Sequence, residues 1–357
     1  MTLAVNLAQG ASNNVTFRNR IINGAMVIDQ RNAGASVSVS SNTYTLDRYR
    51  SLASGGGVYS VQQSSTAPAG FVNSMIMTVT TTAASPSAAN YYALRQSIEG
   101  YNIADLNQGT ANAKTFTISF WVRSSLTGTF GGSVDNDVDR SYPFTYTIST
   151  ANTFEYKTIT VTGSTDGTWV TTNGIGINIQ FALGVGSSRA GTAGAWASAT
   201  YFSATGATNV MATNGATLYI TGVQLEAGTT ASPFEYRQYG TELALCQRYF
   251  ISLSNATNSS PMGVGYQQAA LTTSVIVTCL PVSMRTSPTA TFQNLYITDN
   301  TSHSQTCSSI QGTGVGGNLV IYTNWVHSSG GTAFRPCSLQ AINGTVGNCF
   351  LNFSAEL

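Results

Sequence analysis

Along much of the chain, apolar and polar residues alternate with a period of two. In IGINIQFALGV, Ile175, Ile177, Ile179, Phe181, Leu183 and Val185 take one parity, and Gly176, Asn178, Gln180, Ala182 and Gly184 the other. Such alternation is the signature of a strand with one buried face. TFTISFWVR repeats it, with Phe116, Ile118, Phe120 and Val122 on one face and Thr115, Thr117, Ser119, Trp121 and Arg123 on the other. In TLYITGVQLEAG the parity slips: Leu218 and Ile220 define one face, Val223 and Leu225 the other. One extra residue near Gly222 would cause this, so a β-bulge is predicted there.

Several such strands separated by Gly, Ser, Thr and Asn turns describe a β-sandwich. Residues 1–17 read as a polar N-terminal arm and 18–240 as the sandwich. GTELALCQRYF then shows the one helical spacing in the chain, Leu243, Cys246 and Phe250, and is read as a hinge. Beyond it, 241–357 carries SVIVTCLPV, ATFQNLYI, NLVIYTNW and NCFLNFSAEL, a second and smaller β-sandwich domain. The fold class is all-β.

Composition agrees. Gly (35 residues), Tyr (17) and Phe (15) are plentiful among Ser and Thr, only 8% of residues are charged, and 42% are hydrophobic. Strands and turns favour that mixture, and helices do not. A net charge of +1 argues against nucleic acid as a partner, since phosphate binding needs a concentrated basic surface. No apolar run approaches the roughly 18 residues of a membrane span, so no membrane insertion is expected. MTLAVNLAQGASNN lacks a basic n-region, so a signal peptide is not expected. The five cysteines, Cys246, Cys279, Cys307, Cys337 and Cys349, form no C-x-x-C and read as reduced and mostly buried.

The chemistry of enzymes is thinly represented. GTGVGG at 312–317 matches G-x-G-x-x-G, but a dinucleotide fold needs that motif between a strand and a helix. Here it precedes the strand-like NLVIYTNW, so it reads as a glycine turn. His303 and His327 are the only histidines and make no zinc spacing. Asp135, Asp137 and Asp139 alternate as calcium ligands often do, yet Arg140 and Tyr146 stand where an EF-hand loop needs Gly and Glu. They remain weak metal candidates beside a solvated loop. Glu99, Asp105, Glu155 and Glu226 could supply paired carboxylates, but nothing in their spacing selects a pair. Neither a catalytic residue nor a cofactor is expected. Trp121, Trp196 and Trp325 are the candidates for glycan stacking, since sugar rings pack their C–H faces on aromatic faces. Packing against a subunit or under a loop is the plainer role for each.

The N-terminal third raises a different question. Arg18, Arg20, Arg31, Arg48 and Arg50 are five of only 15 basic residues, and Asp29 and Asp47 lie among them. NRIINGAMVIDQRNAGASVSV with YTLDRYR resembles the start of a widespread class of tailed-phage virion proteins, the fibres and minor structural components. The likeness continues in ITGVQLEAGTTASPFEYRQYGTELALCQRYF, in LPVSMRTSPTATF and in the terminal FSAEL. The region from Phe17 to Tyr239 looks like the carbohydrate-binding-module type of jelly roll found in such proteins. The resemblance implies two β domains, a virion location after assembly in a host cytoplasm, trimerisation and no catalytic residues.

Low charge and abundant neutral polar residues suit extensive subunit contact. Arg20, Asp29, Arg31, Asp47 and Arg48 are then expected either to fix a contact with an attachment partner or to pair internally. The reading at this level is a non-enzymatic virion structural protein, a homotrimeric tail fibre or spike contacting other phage proteins and a host-surface glycan. The alternative is a capsid or tail decoration protein that binds no receptor. A polysaccharide-degrading enzyme and an isolated sugar-binding module stand behind both.

Overall fold

A computed structural model of the protein describes residues 17–254, 261–270, 272–299, 304–316, 320–328, 332–342 and 349–357. All but the last residue of the expected N-terminal arm, and His303, lie outside them. The chain divides into two compact units, the first running to Tyr239 and the second covering Gly240–Glu356.

The first unit is a sandwich of two six-stranded sheets. One is ordered β1 (Val37–Val39), β4 (Val58–Ser64), β5 (Ser74–Thr81), β14 (Thr217–Ala227), β7 (Phe116–Ser124), β10 (Glu155–Val161). The other is ordered β2 (Thr43–Leu46), β3 (Tyr49–Ser54), β6 (Tyr91–Glu99), β11 (Ile175–Val185), β8 (Gly128–Asp135), β9 (Ser141–Ile148). All pairings in both are antiparallel. The chain crosses repeatedly between the sheets, as in a jelly roll. The alternating residues of β7 and β11 face one another across the core: Phe116, Ile118, Phe120 and Val122 are fully buried, as are Ile177 and Ile179. Phe120 and Phe181 meet edge to face at 4.9 Å between the sheets. Each such side chain contributes about 1.5–3 kcal/mol through burial.

The parity slip in β14 is a bulge. Thr221 pairs with Trp121 but Gln224 pairs with Ser119, three residues against two, and Gly222 has φ +60°. β5 accompanies β14 only from Thr217 to Ile220. Past the bulge the N-terminal segment takes over: Val223 N–H donates to Gly24 O (3.0 Å), Arg20 N–H to Leu225 O (2.9 Å), and Leu225 N–H to Asn19 Oδ1 (3.1 Å). Gly24 is required because a Cβ there would lie 2.2 Å from Val223 O.

The segment following β14 locks this arrangement. Glu235 accepts the N–H groups of Phe17 (2.7 Å) and Asn19 (2.8 Å), Arg237 donates to Ile21 O (3.0 Å) and to Asn19 O, and Glu235 N–H donates to Gln224 Oε1 (2.9 Å). The charges that crowd the N-terminal third are thereby largely accounted for. Asp29 closes a turn by accepting the N–H groups of Asn32 and Gly34 (3.0 and 2.7 Å). Asp47 is fully buried and accepts the backbone and side-chain N–H of Gln30 (2.7 and 2.6 Å). Arg48, 1% exposed at φ +70°, donates to Ser97 O (2.6 Å). Arg20 pairs with Asp105 at 2.8 Å, and Arg31 lies 5.0 Å from the Tyr44 ring centroid. These contacts are internal to the unit and pin the segment between Phe17 and Arg48.

The second unit opens with helix α1 (Tyr239–Gln247) and is otherwise strand. Its strands are β15 (Phe250–Leu253), β16 (Gly263–Gln267), β17 (Thr273–Cys279), β18 (Thr289–Gln293), β19 (Leu295–Thr298), β20 (Ser304–Gly316), β21 (Val320–His327), β22 (Pro336–Ala341) and β23 (Phe350–Ser354). The unit is all-β, and six of its strands close as a barrel, β16-β17-β21-β20-β19-β22, beside a three-stranded sheet β15-β23-β18. Alternation alone reads the same in a second sandwich as in a barrel, because both bury every other residue. Residues 312–316 of the glycine motif prolong β20 where a turn was expected. Arg285 gathers the ends of the unit, donating to Ala355 O (2.8 Å) and Glu356 O (2.9 Å), while Arg285 N–H donates to Arg248 O (2.8 Å). Cys246, Cys307 and Cys349 are buried, Cys337 is half-buried and Cys279 is exposed.

Gly24→Ala is expected to lower the stability of the first unit by about 2 kcal/mol through backbone overpacking. Urea denaturation checks this against Gly56→Ala, where a Cβ meets nothing within 4 Å.

Candidate functional site

Trp121 lies between the core residues Phe120 and Val122 and therefore projects to the solvent side of its sheet. Its Cα partners are Tyr156 on β10 and Thr221 on β14. The Trp121 and Tyr156 rings lie 5.4 Å apart at 49°, and Tyr156 is 43% exposed. On the other side of Trp121 the bulge leaves room that a side chain would fill. A Cβ at Gly222 would lie 2.7 Å from the Phe71 ring and 3.1 Å from that of Trp121. Phe71 continues the surface into Phe234 (5.1 Å) and Tyr236 (5.4 Å), and Tyr236 is 59% exposed.

One register step along, Arg123, Tyr219 and Phe154 form a second group on the same face. The Arg123 guanidinium lies 4.9 Å from the Tyr219 centroid and 5.9 Å from that of Phe154. Cation–π contacts of this kind hold an arginine flat on a ring and leave its N–H edge free to bond outward. On the other face of β10, in register with Val122 and Phe120, Lys157 and Glu155 pair at 2.7 Å, and that bond holds the Glu155 carboxyl below its usual range. The outer face thus combines ring surfaces with the Arg123 guanidinium, the make-up of a surface that takes a sugar ring or a partner protein.

The other two tryptophans are placed differently. Trp196 packs edge to face against Trp169 (5.5 Å) and Tyr142 (5.3 Å), and its Nε1 donates to Thr162 O (2.7 Å). Half-buried against the sandwich core, it holds its loop down. Trp325 is fully buried inside the barrel, donating to Thr323 Oγ1 (2.6 Å) and meeting Phe292 edge to face at 4.7 Å. Burial removes Trp325 from any glycan surface, which corrects the expectation for that residue. Tyr156, Phe71 and Tyr219 were not singled out in the sequence. Tyr156 shares its parity with Thr158 and Thr160, a clue to an exposed face, but its pairing with Trp121 requires the strand register.

The acidic residues do not converge. Asp135 is 2% exposed and accepts from Asn178 Nδ2 (2.7 Å), Asp137 N–H (2.8 Å) and Gln180 Nε2. Burial pushes its carboxyl up, an effect opposed by Arg95 and the Asn178 bond. Asp137 turns to Arg95 (3.2 Å), and Asp139 accepts from Asn136 Nδ2 (2.7 Å), which holds its carboxyl below the usual range. Among the described residues, no group of three or more His, Cys, Asp or Glu side chains is arranged to hold a metal ion. Asp105 and Glu226 are likewise engaged, with Arg20 and with Ser232 and Gln224.

No protein-family model matches this chain, and no curated protein sequence matches it. Among solved structures it is similar to the enzymatically active domain of bacteriophage CBA120 tailspike protein 4, with a TM-score of 0.30 and 14% identity over 59% of this chain and 22% of that one. A structure described as CBM4 structure and function gives 0.29 and 16%, over 58% of this chain and 98% of that one. The family 11 carbohydrate-binding module from Clostridium thermocellum, in complex with a mixed-linked tetrasaccharide, gives 0.28 and 13%, over 55% and 98%. The match therefore spans about a fifth of the tailspike chain. Superpositions this loose transfer no residue role to the present chain.

Gly222→Ala forces a side chain against two rings at a positive φ. It is expected to cost about 2 kcal/mol and to change the acrylamide quenching of Trp121 relative to a Trp121→Phe control. A second outcome concerns Asp135. Because its folded-state pKa is raised, the folded chain holds the proton more tightly than the unfolded one. Its contribution is full below the ordinary Asp range and is lost as pH rises through the folded value. The difference in unfolding free energy between the parent and Asp135→Asn should therefore carry a negative slope with pH in that window, as urea titrations at several pH values will read.

Proposed function

We propose that this chain is a non-enzymatic attachment protein of a tailed-phage particle, a homotrimeric fibre or spike that engages a host-surface glycan through the Trp121–Tyr156 face. The observation that carries the proposal is the solvent-side placement of Trp121 between Tyr156 and the Gly222 bulge. The absence of a side chain at Gly222 lets the Phe71 and Trp121 rings close over it, so the aromatic surface runs on from Tyr156 through Trp121 to Phe71. The motifs resembling tailed-phage virion proteins supply the particle context. The polar residues flanking the rings supply orientation, as sugar sites require. Three equal weak sites in a trimer would act together, gaining avidity without stronger individual contacts.

A decoration protein without receptor binding is the second reading, and it too has an observation behind it. On the barrel wall Val264, Val277 and Tyr322 are cross-strand partners in one row, with Val264 59% and Tyr322 46% exposed. An apolar row of this kind suits a contact with another protein.

Adsorption competition separates the two. Purified full-length protein added to host cells before phage is expected to inhibit adsorption saturably, and Trp121→Ala is expected to weaken that inhibition by roughly tenfold, the scale of one lost aromatic contact. If saturating protein fails to bind cells or slow adsorption, the decoration reading takes first place.

A further inference from the structure

The sheet opposite Trp121 carries three guanidinium groups on its outer face, and two of them have no acidic partner among the described residues. Arg50 on β3 and Arg95 on β6 are Cα partners, so two like charges stand directly opposite, which destabilises a sheet unless something offsets it. Arg189 reaches the same face from the segment after β11. Its guanidinium lies 5.7 Å from the Phe202 centroid and 5.8 Å from that of Tyr91, while Arg95 lies 5.5 Å from Phe202. Tyr91 and Phe202 stack at 4.4 Å and 11°, so two cations share one pair of rings. Arg50 rests 5.9 Å from the Tyr44 centroid.

Three cations meet two carboxylates here, and the pairing is uneven. Asp137 reaches Arg95 at 3.2 Å and is 44% exposed at its side chain. Asp135 lies deeper and already accepts from Asn178 and Gln180. Among the described residues neither Arg50 nor Arg189 has an acidic partner. Among the described residues the Arg189 side chain donates only to Ala89 O and Thr200 O, at 3.3 and 3.4 Å. The row of cross-strand partners runs from Arg50 through Arg95 to Gln180 and Ser133. Gln180 Oε1 and Ser133 Oγ, both on fully buried residues, have no hydrogen-bond partner among the described residues.

We infer that the face formed by Arg50, Arg95 and Arg189 binds an anionic saccharide, its carboxylate or phosphate on the guanidiniums and its ring against Tyr91. A guanidinium fork matches either oxyanion with two parallel bonds. Half-buried rings beside it offer the flat surface on which sugar C–H groups pack. This site lies on the other sheet from Trp121 and stands whether or not the Trp121 face binds glycan.

The test is binding of full-length protein to immobilised saccharides in matched pairs: hexuronate and sialylated oligosaccharides beside their carboxyl-reduced forms, and an oligosaccharide carrying a hexose phosphomonoester beside its phosphatase-treated form. Binding to at least one anionic member is expected to exceed its uncharged counterpart roughly tenfold, the scale of a charge-assisted hydrogen bond, and to fall with added salt. Which pair responds identifies the anion. Arg50→Ala should abolish the difference while the protein still unfolds in one cooperative transition, because the Arg50 side chain makes no hydrogen bond among the described residues and its removal also relieves the like-charge contact with Arg95. Arg50→Lys should restore part of it. The inference is overturned if no anionic member binds better than its counterpart, or if Arg50→Ala binds as the parent does. Trp121→Ala run in parallel keeps the two sites apart: loss there with Arg50→Ala unaffected would sink this inference alone, and the reverse would sink the Trp121 reading alone.

Discussion

The first unit depends on how β14 is completed after its bulge. A central strand needs partners on both edges, since a buried N–H or C=O without one costs about as much as a lost hydrogen bond. β5 leaves after Ile220, and the N-terminal segment fills the gap with Asn19, Arg20 and Gly24. Glu235 and Arg237 then bind that segment from the far side, and Gln224 of β14 accepts the N–H of Glu235. Residues more than two hundred positions apart in sequence thus form one hydrogen-bonded unit. The charged groups in it are held by backbone N–H and C=O groups, which fix geometry more tightly than exposed ion pairs do.

Much of this was legible in the sequence, for identifiable reasons. The faces of β7 and β11 followed from alternation, and the bulge followed from the parity change across Gly222, because a period of two cannot shift without an added residue. The outward placement of Trp121 came from the same count. Trp325 shows where the method stops: inside a closed barrel and on the face of an open sheet, a strand alternates identically, and only the closure of the ring through β22, which pairs with both β16 and β19, shows that its inner residues meet no solvent. Trp196 sits in a loop, where no period applies. The adjacency of Arg50 and Arg95 needed the β3–β6 register, which the intervening 44 residues conceal.

The scarcity of charge shapes both faces of the sandwich. With so few ionic groups, neutral amides and hydroxyls carry most of the polar bonding inside: Asn19, Asn23, Asn136, Asn178 and Gln224 each satisfy two or more partners. Asn136 alone accepts the N–H groups of Val138, Asp139 and Arg140 and shapes the loop that presents Asp137. Burying neutral groups avoids the desolvation cost of buried charge, and the charges that do stand on a surface therefore weigh more.

The bulge at Gly222 also has a mechanical consequence. Trp121 is bonded through its strand to β14 on one side and β10 on the other, and Gly222, against its ring, is adjacent to the Val223 that Gly24 and Asn19 hold. A load entering along β7 from the aromatic face would therefore reach the segment Asn19–Gly24 through inter-strand hydrogen bonds that lie perpendicular to the strands and would have to shear together, shared among many bonds at once.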